Sequence, residues 1–163
     1  MAIILIGLPS SGKSTLGVLL AKALGYRFVD TDLVIQEKKG KLLHEIIKDE
    51  GVERFLEIEN EINQTVSGGR AVIATGGSAV YGDEAMAHLK TLGKIVYLKI
   101  PFEVLKKRLG DYSHRGIAMR DGATLEEMYD ERTPLYEKWA DITVESGSSM
   151  SETVTALTDI LKG

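Results

Sequence analysis

Residues 7–15, Gly-Leu-Pro-Ser-Ser-Gly-Lys-Ser-Thr, satisfy the phosphate-loop pattern G-x-x-x-x-G-K-[ST]. The apolar run Ala2–Ile6 comes directly before them and helix-like residues 15–24 follow, so the motif stands in its required context of strand, loop and helix. Glycines let the backbone N–H groups of such a loop converge on an anion, and the helix presents the positive end of its dipole. The stretch therefore predicts a site for a nucleoside triphosphate.

Backbone and side chains have different predicted roles in this loop. Lys13 is expected to reach the β- and γ-phosphates, and the hydroxyl of Ser14 to ligate Mg²⁺. The predicted nucleotide-binding residues of the loop are Gly7, Pro9, Ser10, Ser11, Gly12, Lys13, Ser14 and Thr15.

Composition excludes several other classes of protein. The 163 residues are enough for one domain with a sizeable core, which we expect to span residues 1–163. A net charge of −4 gives no basic footprint for nucleic acid, and the absence of cysteine excludes disulfides and thiolate chemistry. The N-terminal apolar run is too short for a signal peptide or a membrane span. We therefore expect a cytoplasmic protein without nucleic-acid or membrane partners.

Apolar β-type runs alternate with helical patterns along the chain, which favours a parallel sheet covered on both faces. The predicted strands are residues 2–6, 27–29, 71–74, 94–100 and 141–144, and the predicted helices are residues 15–24, 33–36, 42–48, 52–66, 102–109 and 151–161. The pattern predicts an α/β fold of the three-layer P-loop NTPase type, with a central five-stranded parallel sheet flanked by helices.

Residues 110–122 interrupt this regularity. They have no apolar periodicity, contain Arg115 and Arg120, and lie between Arg108 and Arg132. Phosphoryl transfer must exclude water and supply positive charge to the migrating group, and a closing loop with arginines does both. The segment is therefore predicted to be a flexible lid, the alternative being that its arginines are solvated surface charges.

Several motifs together resemble the shikimate kinase family. They are the phosphate loop, Asp30-Thr31-Asp32 after the second strand, Gly76-Gly77 after the third, Arg108 and Arg115 on either side of the lid, and Arg132-Thr133-Pro134-Leu135-Tyr136. They occur in family order over roughly residues 2–145. The resemblance implies an ATP- and Mg²⁺-dependent kinase for a hydroxyl of a small carboxylate-bearing metabolite. Specifically, it implies conversion of shikimate to shikimate 3-phosphate in aromatic amino acid biosynthesis.

The resemblance also assigns roles to individual residues. Asp30 would support Mg²⁺, and Asp32 would bind the acceptor hydroxyl and act as its base. Arg132 would hold the acceptor carboxylate, Arg115 would face the phosphates, and Arg108 would lie at the adenine. Helix capping is an alternative role for either aspartate, and one that is compatible with these functions.

The acceptor-binding residues implied by the resemblance include three at the turn after the third strand. Gly76 and Gly77 would let backbone amides approach the acceptor without an intervening Cβ. The family has a third glycine where this chain has Ser78. The serine is expected either to cap the next segment or to add a hydroxyl to the acceptor pocket.

The helical region of residues 33–66, which is implied to bind the acceptor, departs most from the family. The family pattern Phe-Arg-x-x-Glu is replaced by Phe55-Leu56-Glu57-Ile58-Glu59, so Leu56 stands where an arginine would bind the acceptor carboxylate. On a helix Arg54 points about 200° away from position 56 and is expected to pair at the surface with Glu50, Glu57 or Glu61. The alternative is a shifted register, in which Arg54 and Glu57 restore the arginine-to-acid spacing at i, i+3 and Arg54 compensates for Leu56. The lid also departs from the family pattern, because Gly116 stands where the family has a proline, and a glycine there favours a more flexible lid.

Two alternatives to a shikimate kinase follow from these departures. The first is a related P-loop kinase for another hydroxy acid, a polyol or a nucleotide. The second is a nucleotide-binding regulatory module with weak catalysis. In the preferred interpretation the partners are ATP and a small-molecule acceptor, and the protein is a monomer.

Overall fold

The strand that leads into the phosphate loop lies at the centre of a parallel sheet. A computed structural model describes residues 1–110, 116–146 and 149–163 of the chain. Within these ranges five parallel strands pair in the order β2-β3-β1-β4-β5. They are β1 (Ala2–Ile6), β2 (Arg27–Asp30), β3 (Ala71–Ala74), β4 (Gly93–Lys99) and β5 (Ile142–Glu145). Ile4 of β1 is in register with Ile73 on one side and Ile95 on the other.

Helices cover both faces of this sheet because alternate residues of the buried strands point to opposite sides. Ile3 and Leu5 pack with apolar residues of α1 and α8, whereas Ile4 and Ile6 pack with those of α5, α6 and α7. The helices are α1 (Lys13–Leu24), α2 (Thr31–Lys39), α3 (Leu43–Glu50), α4 (Val52–Asn63), α5 (Asp83–Leu92), α6 (Phe102–Leu109), α7 (Leu125–Trp139) and α8 (Met150–Lys162). The predicted three-layer α/β class is confirmed.

A third apolar cluster lies outside the sheet layers. It is formed by α2, α3 and α4, with Ile35, Ile46 and Phe55 fully buried, and Ala118 from the segment after α6 packs against it. These helices therefore form a separate wall beside the sheet edge, in the region where the acceptor-binding residues were expected.

Several predicted boundaries were wrong for local reasons. Helix α2 begins at Thr31 rather than at residue 33, because the side chain of Asp30 accepts a hydrogen bond from the N–H of Asp32 and caps it. Helix α4 ends at Asn63 rather than at residue 66, and the N–H of Val66 bonds instead to the carbonyl of Asn63. Helices α5 and α7 were not delimited from the sequence. In the described part of the chain, no helix has the length and apolar character needed to cross a membrane.

The loops after β1, β2 and β3 share one edge of the sheet, because parallel strands all end on the same side. The loop after β1 turns sharply: Gly12 has φ +99°, and a Cβ on Gly7 would lie 2.7 Å from the carbonyl oxygen of Leu98. These conformations require glycine. The fold thus gathers three predicted motifs around one space.

Candidate active site

A cavity of about 500 Å³ opens at this edge of the sheet. The predicted site residues that line it are Pro9, Ser10, Gly12, Lys13, Ser14, Thr15, Asp32, Gly76, Gly77, Ser78 and Arg132. Residues 116–118, from the predicted lid, also line it, together with residues for which no role was predicted, such as Leu43 and Thr75. The cavity therefore brings together the phosphate loop, the carboxylate after β2, the glycine turn after β3 and the arginine of α7.

Lys13 lies folded against its own loop. Its Nζ donates to the carbonyl oxygens of Gly7 at 2.8 Å and Leu8 at 2.7 Å, and to Oγ of Ser11 at 3.3 Å. Burial lowers the pKa of the Lys13 ammonium to about 8, partly opposed by the nearby charge of Asp32. Gly12, the residue before α1, provides no side-chain cap, so the first amides of the helix are available to an anion.

Ser14 and Asp30 bring two side-chain oxygens together beside this loop. Oγ of Ser14 donates to Oδ2 of Asp30 at 3.0 Å, while Oδ1 of Asp30 accepts from the N–H of Asp32 at 3.0 Å. The capping role considered for Asp30 is thus confirmed, and one carboxylate oxygen still faces the hydroxyl. A hydroxyl next to a carboxylate suits a hard cation such as Mg²⁺, which is bound through few protein oxygens and keeps several waters.

Asp32 and Glu59 direct carboxyl oxygens toward the same glycine. A Cβ on Gly76 would lie 2.6 Å from Oδ1 of Asp32 and 2.8 Å from Oε2 of Glu59, so both oxygens lie beside the Cα of this glycine. Burial, then the charge of Asp30, raises the pKa of Asp32 to about 6. Burial likewise raises the pKa of Glu59 to about 7. The site therefore holds two carboxyl groups that ionise near neutral pH.

The hydroxyl of Ser78 is directed at Glu59. Its Oγ donates to Oε1 of Glu59 at 2.6 Å and makes no capping bond to the short 3₁₀ turn Ala79–Tyr81 that follows it. Of the two roles considered for Ser78, capping was wrong. Oε2 of Glu59 is buried and has no hydrogen-bond partner among the described residues.

Arg132 is the cation on the opposite side of the turn. It is only 2% exposed, donates from Nη2 to the carbonyl of Ala118 at 2.6 Å, and lies with its guanidinium carbon 5.4 Å from the ring centroid of Tyr81. Its Nε has no partner in the described ranges. The hydroxyl of Tyr136 donates to the carbonyl of Gly77 at 2.5 Å and fixes the turn beneath the guanidinium. A buried guanidinium with unused donor capacity is suited to an anionic ligand such as a carboxylate.

Other predicted residues lie outside the cavity wall. The carbonyl of Gly7 and the hydroxyl of Ser11 accept hydrogen bonds from Lys13, and exposed Arg108 donates to the carbonyl of Ser10 at 3.1 Å. Arg115 lies outside the described residues. Leu56 lines a neighbouring cavity of about 900 Å³, which shares Ala118 and Arg132 with the first.

The exposed side chain of Arg54 pairs with Glu57 at 2.8 Å and lies 3.7 Å from Glu61. The predicted surface pairing is therefore confirmed, and Arg54 does not substitute for an arginine at position 56.

Sequence reasoning identified Glu59 only as part of a motif and assigned it no role. A signal was available, because Phe55 and Glu59 are spaced i, i+4 and so share one helix face. Phe55 is 1% exposed, and Glu59, at 2%, lies on the same buried face. An acid in phase with core residues is a candidate for function, since buried carboxyls are rare unless paired.

A phosphate loop after the central strand of a covered parallel sheet, opening onto a small polar cavity, is the arrangement of P-loop kinases, and this chain is one of them. Comparison with protein families narrows the class: the model described as shikimate kinase matches residues 9–162. The chain belongs to the shikimate kinase family, and it is an ATP-using phosphotransferase with a hydroxyl acceptor.

Individual relatives agree with this assignment. A shikimate kinase of Clostridium botulinum strain 657 is 42% identical over 83% of this chain and 82% of its own. Shikimate kinase 2 of Yersinia pseudotuberculosis strain YPIII is 36% identical over 99% of this chain and 95% of its own. Among solved structures, the Aquifex aeolicus shikimate kinase superposes with a TM-score of 0.86 at 34% identity, covering 100% of this chain and 97% of that one. The shikimate kinase from Acinetobacter baumannii, solved in complex with shikimate, gives a TM-score of 0.87 at 28% identity. The match covers 98% of this chain and 92% of that one.

Proposed function

We propose that this protein transfers the γ-phosphoryl group of ATP, with Mg²⁺, to a hydroxyl of shikimate, giving shikimate 3-phosphate. The observation on which this depends is that Lys13, Asp32 and Arg132 line one cavity. A phosphate-binding cation, a carboxylate and a buried cation for an anionic acceptor are the three groups that the reaction needs. The family relationship supports shikimate as the acceptor.

In this proposal the phosphate loop and the first turn of α1 hold the triphosphate. Backbone amides of residues 9–15 face its oxygens, and Lys13 exchanges its bonds with the loop carbonyls for bonds to phosphate. Arg108 lies beside Ser10 at the loop, where the adenine would be placed. Arg115 and the lid of residues 110–122 are proposed to close over the phosphates.

Ser14 and Asp30 are the residues that would hold Mg²⁺. The pair already stands at 3.0 Å, with Asp30 fixed by the cap of α2. When bound, Mg²⁺ neutralises charge on the phosphate oxygens.

Asp32 is proposed to orient the acceptor hydroxyl and accept its proton. Its raised pKa, about 6, places it near the range in which a carboxylate is both ionised and basic enough to take a proton at neutral pH. Arg132 would hold the acceptor carboxylate, with Gly76 and Gly77 allowing the acceptor to approach the backbone of the turn. Catalysis then rests mainly on positioning and electrostatics.

Leu56 supports a second candidate, a related kinase for another hydroxy acid or polyol. Its side chain lines the larger cavity, which shares Ala118 and Arg132 with the first, and an acceptor with a less acidic group would not need an arginine at position 56.

One experiment separates the two candidates. ADP release is measured with ATP and Mg²⁺ in the presence of shikimate, quinate, gluconate or ribitol, and the product is identified by mass spectrometry. We expect shikimate to give the highest kcat/KM and a product one phosphoryl group heavier. Higher kcat/KM with another acceptor would replace shikimate by that compound, and the absence of stimulation by every acceptor would reject the proposed kinase activity.

A further inference from the structure

Ser78 occupies a position where a side chain is accommodated, in a turn that otherwise excludes side chains. A Cβ on Gly76 would collide with the carboxyl groups of Asp32 and Glu59, and a Cβ on Gly77 would lie 2.7 Å from Cδ of Pro9. Ser78 is 6% exposed, and its hydroxyl donates a hydrogen bond to Oε1 of Glu59. The hydroxyl therefore acts on the carboxyl group of Glu59 rather than on the backbone of the turn.

This contact decides how Glu59 presents its second oxygen. With Oε1 held by Ser78 at 2.6 Å, Oε2 lies beside Gly76, as Oδ1 of Asp32 does, and all three residues line the acceptor cavity. Oε2 is buried and unpartnered among the described residues. Buried carboxylate oxygens normally accept a hydrogen bond, so an unpaired one beside a cavity can accept a hydrogen bond from a bound ligand. The hydroxyl groups of a polyhydroxylated molecule are suitable donors.

Charged groups from three other elements face this carboxyl group. Lys13 of α1 and Arg132 of α7 favour its ionised form, and Asp32 of α2 opposes it. Ser78 adds a donor that also favours the ionised form, against the burial that raises the pKa of Glu59. Since Arg54 is turned outward to Glu57, no arginine of α4 contributes to this balance.

We infer that Ser78 is a positioning residue of the acceptor site, which favours the charged form of the Glu59 carboxyl group and aims its free oxygen at a hydroxyl of the acceptor. The inference rests on the proposed function, because it places the acceptor in this cavity. The hydroxyl concerned is a second one, distinct from the hydroxyl that takes the phosphoryl group at Asp32. Ser78 touches neither the transferred group nor the nucleotide in this scheme, so its effect is on acceptor affinity.

The test compares Ser78→Ala with Ser78→Thr, which keeps the hydroxyl, and with Thr153→Val. Thr153 is a matched control because it is 5% exposed, donates to the backbone carbonyl of Ser149, and lies in α8 away from the cavity. The acceptor KM and kcat are measured for shikimate between pH 5.5 and 8.5. We expect Ser78→Ala to raise KM about tenfold at pH 7 and to shift the acid limb of kcat/KM upward by about one pH unit, with kcat changed by less than about twofold. Ser78→Thr should keep the original profile.

A profile of Ser78→Ala that superimposes on that of the unmodified protein would overturn the inference. A parallel loss of kcat and melting temperature in Ser78→Ala would also overturn the inference, because that result indicates a structural role alone. Thr153→Val shows the size of such a structural effect for a buried hydroxyl outside the cavity. The double variant Ser78→Ala with Glu59→Gln gives an independent answer. If Ser78 acts through Glu59, adding Ser78→Ala to Glu59→Gln changes KM by less than about twofold, and a persisting tenfold effect refutes the mechanism.

A second variant and a measurement that does not require turnover complete the test. If Ser78→Ala does not fold, Ser78→Gly removes the hydroxyl at a backbone conformation, φ −93°, that both residues adopt. The carboxyl carbon of Glu59, observed by NMR in protein labelled with ¹³C-glutamate and without acceptor, should titrate at higher pH in either variant. An unchanged titration refutes the inference even if shikimate is not a substrate, whereas a shifted titration with no phosphorylation of shikimate rejects only the proposed function.

Discussion

Replacing Glu59 by glutamine should make the protein more stable at neutral pH while weakening its acceptor site. The carboxyl group is buried, and its pKa rises from 4.5 to about 7 on folding. Between these two values the folded protein retains a proton that the unfolded chain releases. Stability contributed by this group is therefore full below about pH 4.5 and is lost as the pH rises toward 7.

The magnitude follows from the difference between the two pKa values. Each pKa unit corresponds to about 1.4 kcal/mol, so ionising Glu59 in the folded state costs up to about 3 kcal/mol above pH 7. Glutamine has nearly the same shape and stays neutral at every pH. We expect the free energy of unfolding of Glu59→Gln, minus that of the unmodified protein, to become more positive by about 2–3 kcal/mol between pH 5 and pH 8.

Urea denaturation of both proteins at pH 5, 6, 7 and 8 measures this difference. Other ionisable groups titrate in both proteins, so their contributions largely cancel. Glu57→Gln is the matched control because it removes an exposed carboxylate from the same helix, and its difference from the unmodified protein should not follow the same curve. A Glu59→Gln difference that is independent of pH, or that has the opposite slope, would refute the reasoning.

Three further substitutions test the proposed roles of the site residues. Asp32→Asn should lower kcat by about 10²- to 10⁴-fold while leaving the Kd for ATP within severalfold, and retained turnover would exclude Asp32 as the base. Arg132→Lys should raise the shikimate KM roughly ten- to a hundredfold with a smaller effect on kcat, because lysine lacks the planar donor fork; an unchanged KM would show that the carboxylate binds elsewhere. Leu56→Arg adds a guanidinium to the cavity that Arg120 and Arg132 also line, and it should lower the shikimate KM about tenfold, with Leu56→Met as its uncharged control. A shikimate KM that Leu56→Arg leaves unchanged would exclude position 56 from carboxylate binding.

The sheet and the phosphate loop could be predicted from the sequence because their signals are local. Residues 2–6 and 71–74 are continuous apolar runs, and in the structure both are buried strands. The loop that follows β1 is defined by glycine, lysine and serine at fixed spacings. Nothing distant along the chain is needed to recognise either feature.

The contacts of individual side chains were the main obstacle in the acceptor region. The apolar spacing of Phe55, Ile58 and Ile62 indicates which face of α4 is buried, and all three enter the apolar cluster. The motif at residues 55–59 does not reveal what Glu59 and Leu56 contact once α4 packs against α2 and α3. In the structure Glu59 is buried, whereas Leu56 borders the larger cavity, and the partners of both residues are set by tertiary packing.

The contact between Ser78 and Glu59 could not be predicted for a related reason. The two residues are 19 positions apart and lie on different elements, the turn after β3 and helix α4. Only the arrival of both at the same sheet edge places a hydroxyl against a carboxyl.

Lys13 shows how folding prepares this protein for its nucleotide. Lys13 is 7% exposed, and its ammonium already donates to three oxygens of its own loop before any phosphate arrives. Its hydration shell is therefore removed while the chain folds, and association with a polyphosphate exchanges one set of oxygen contacts for another. The dehydration penalty of the cation is thus borne by the stability of the apoprotein instead of by the affinity for the nucleotide.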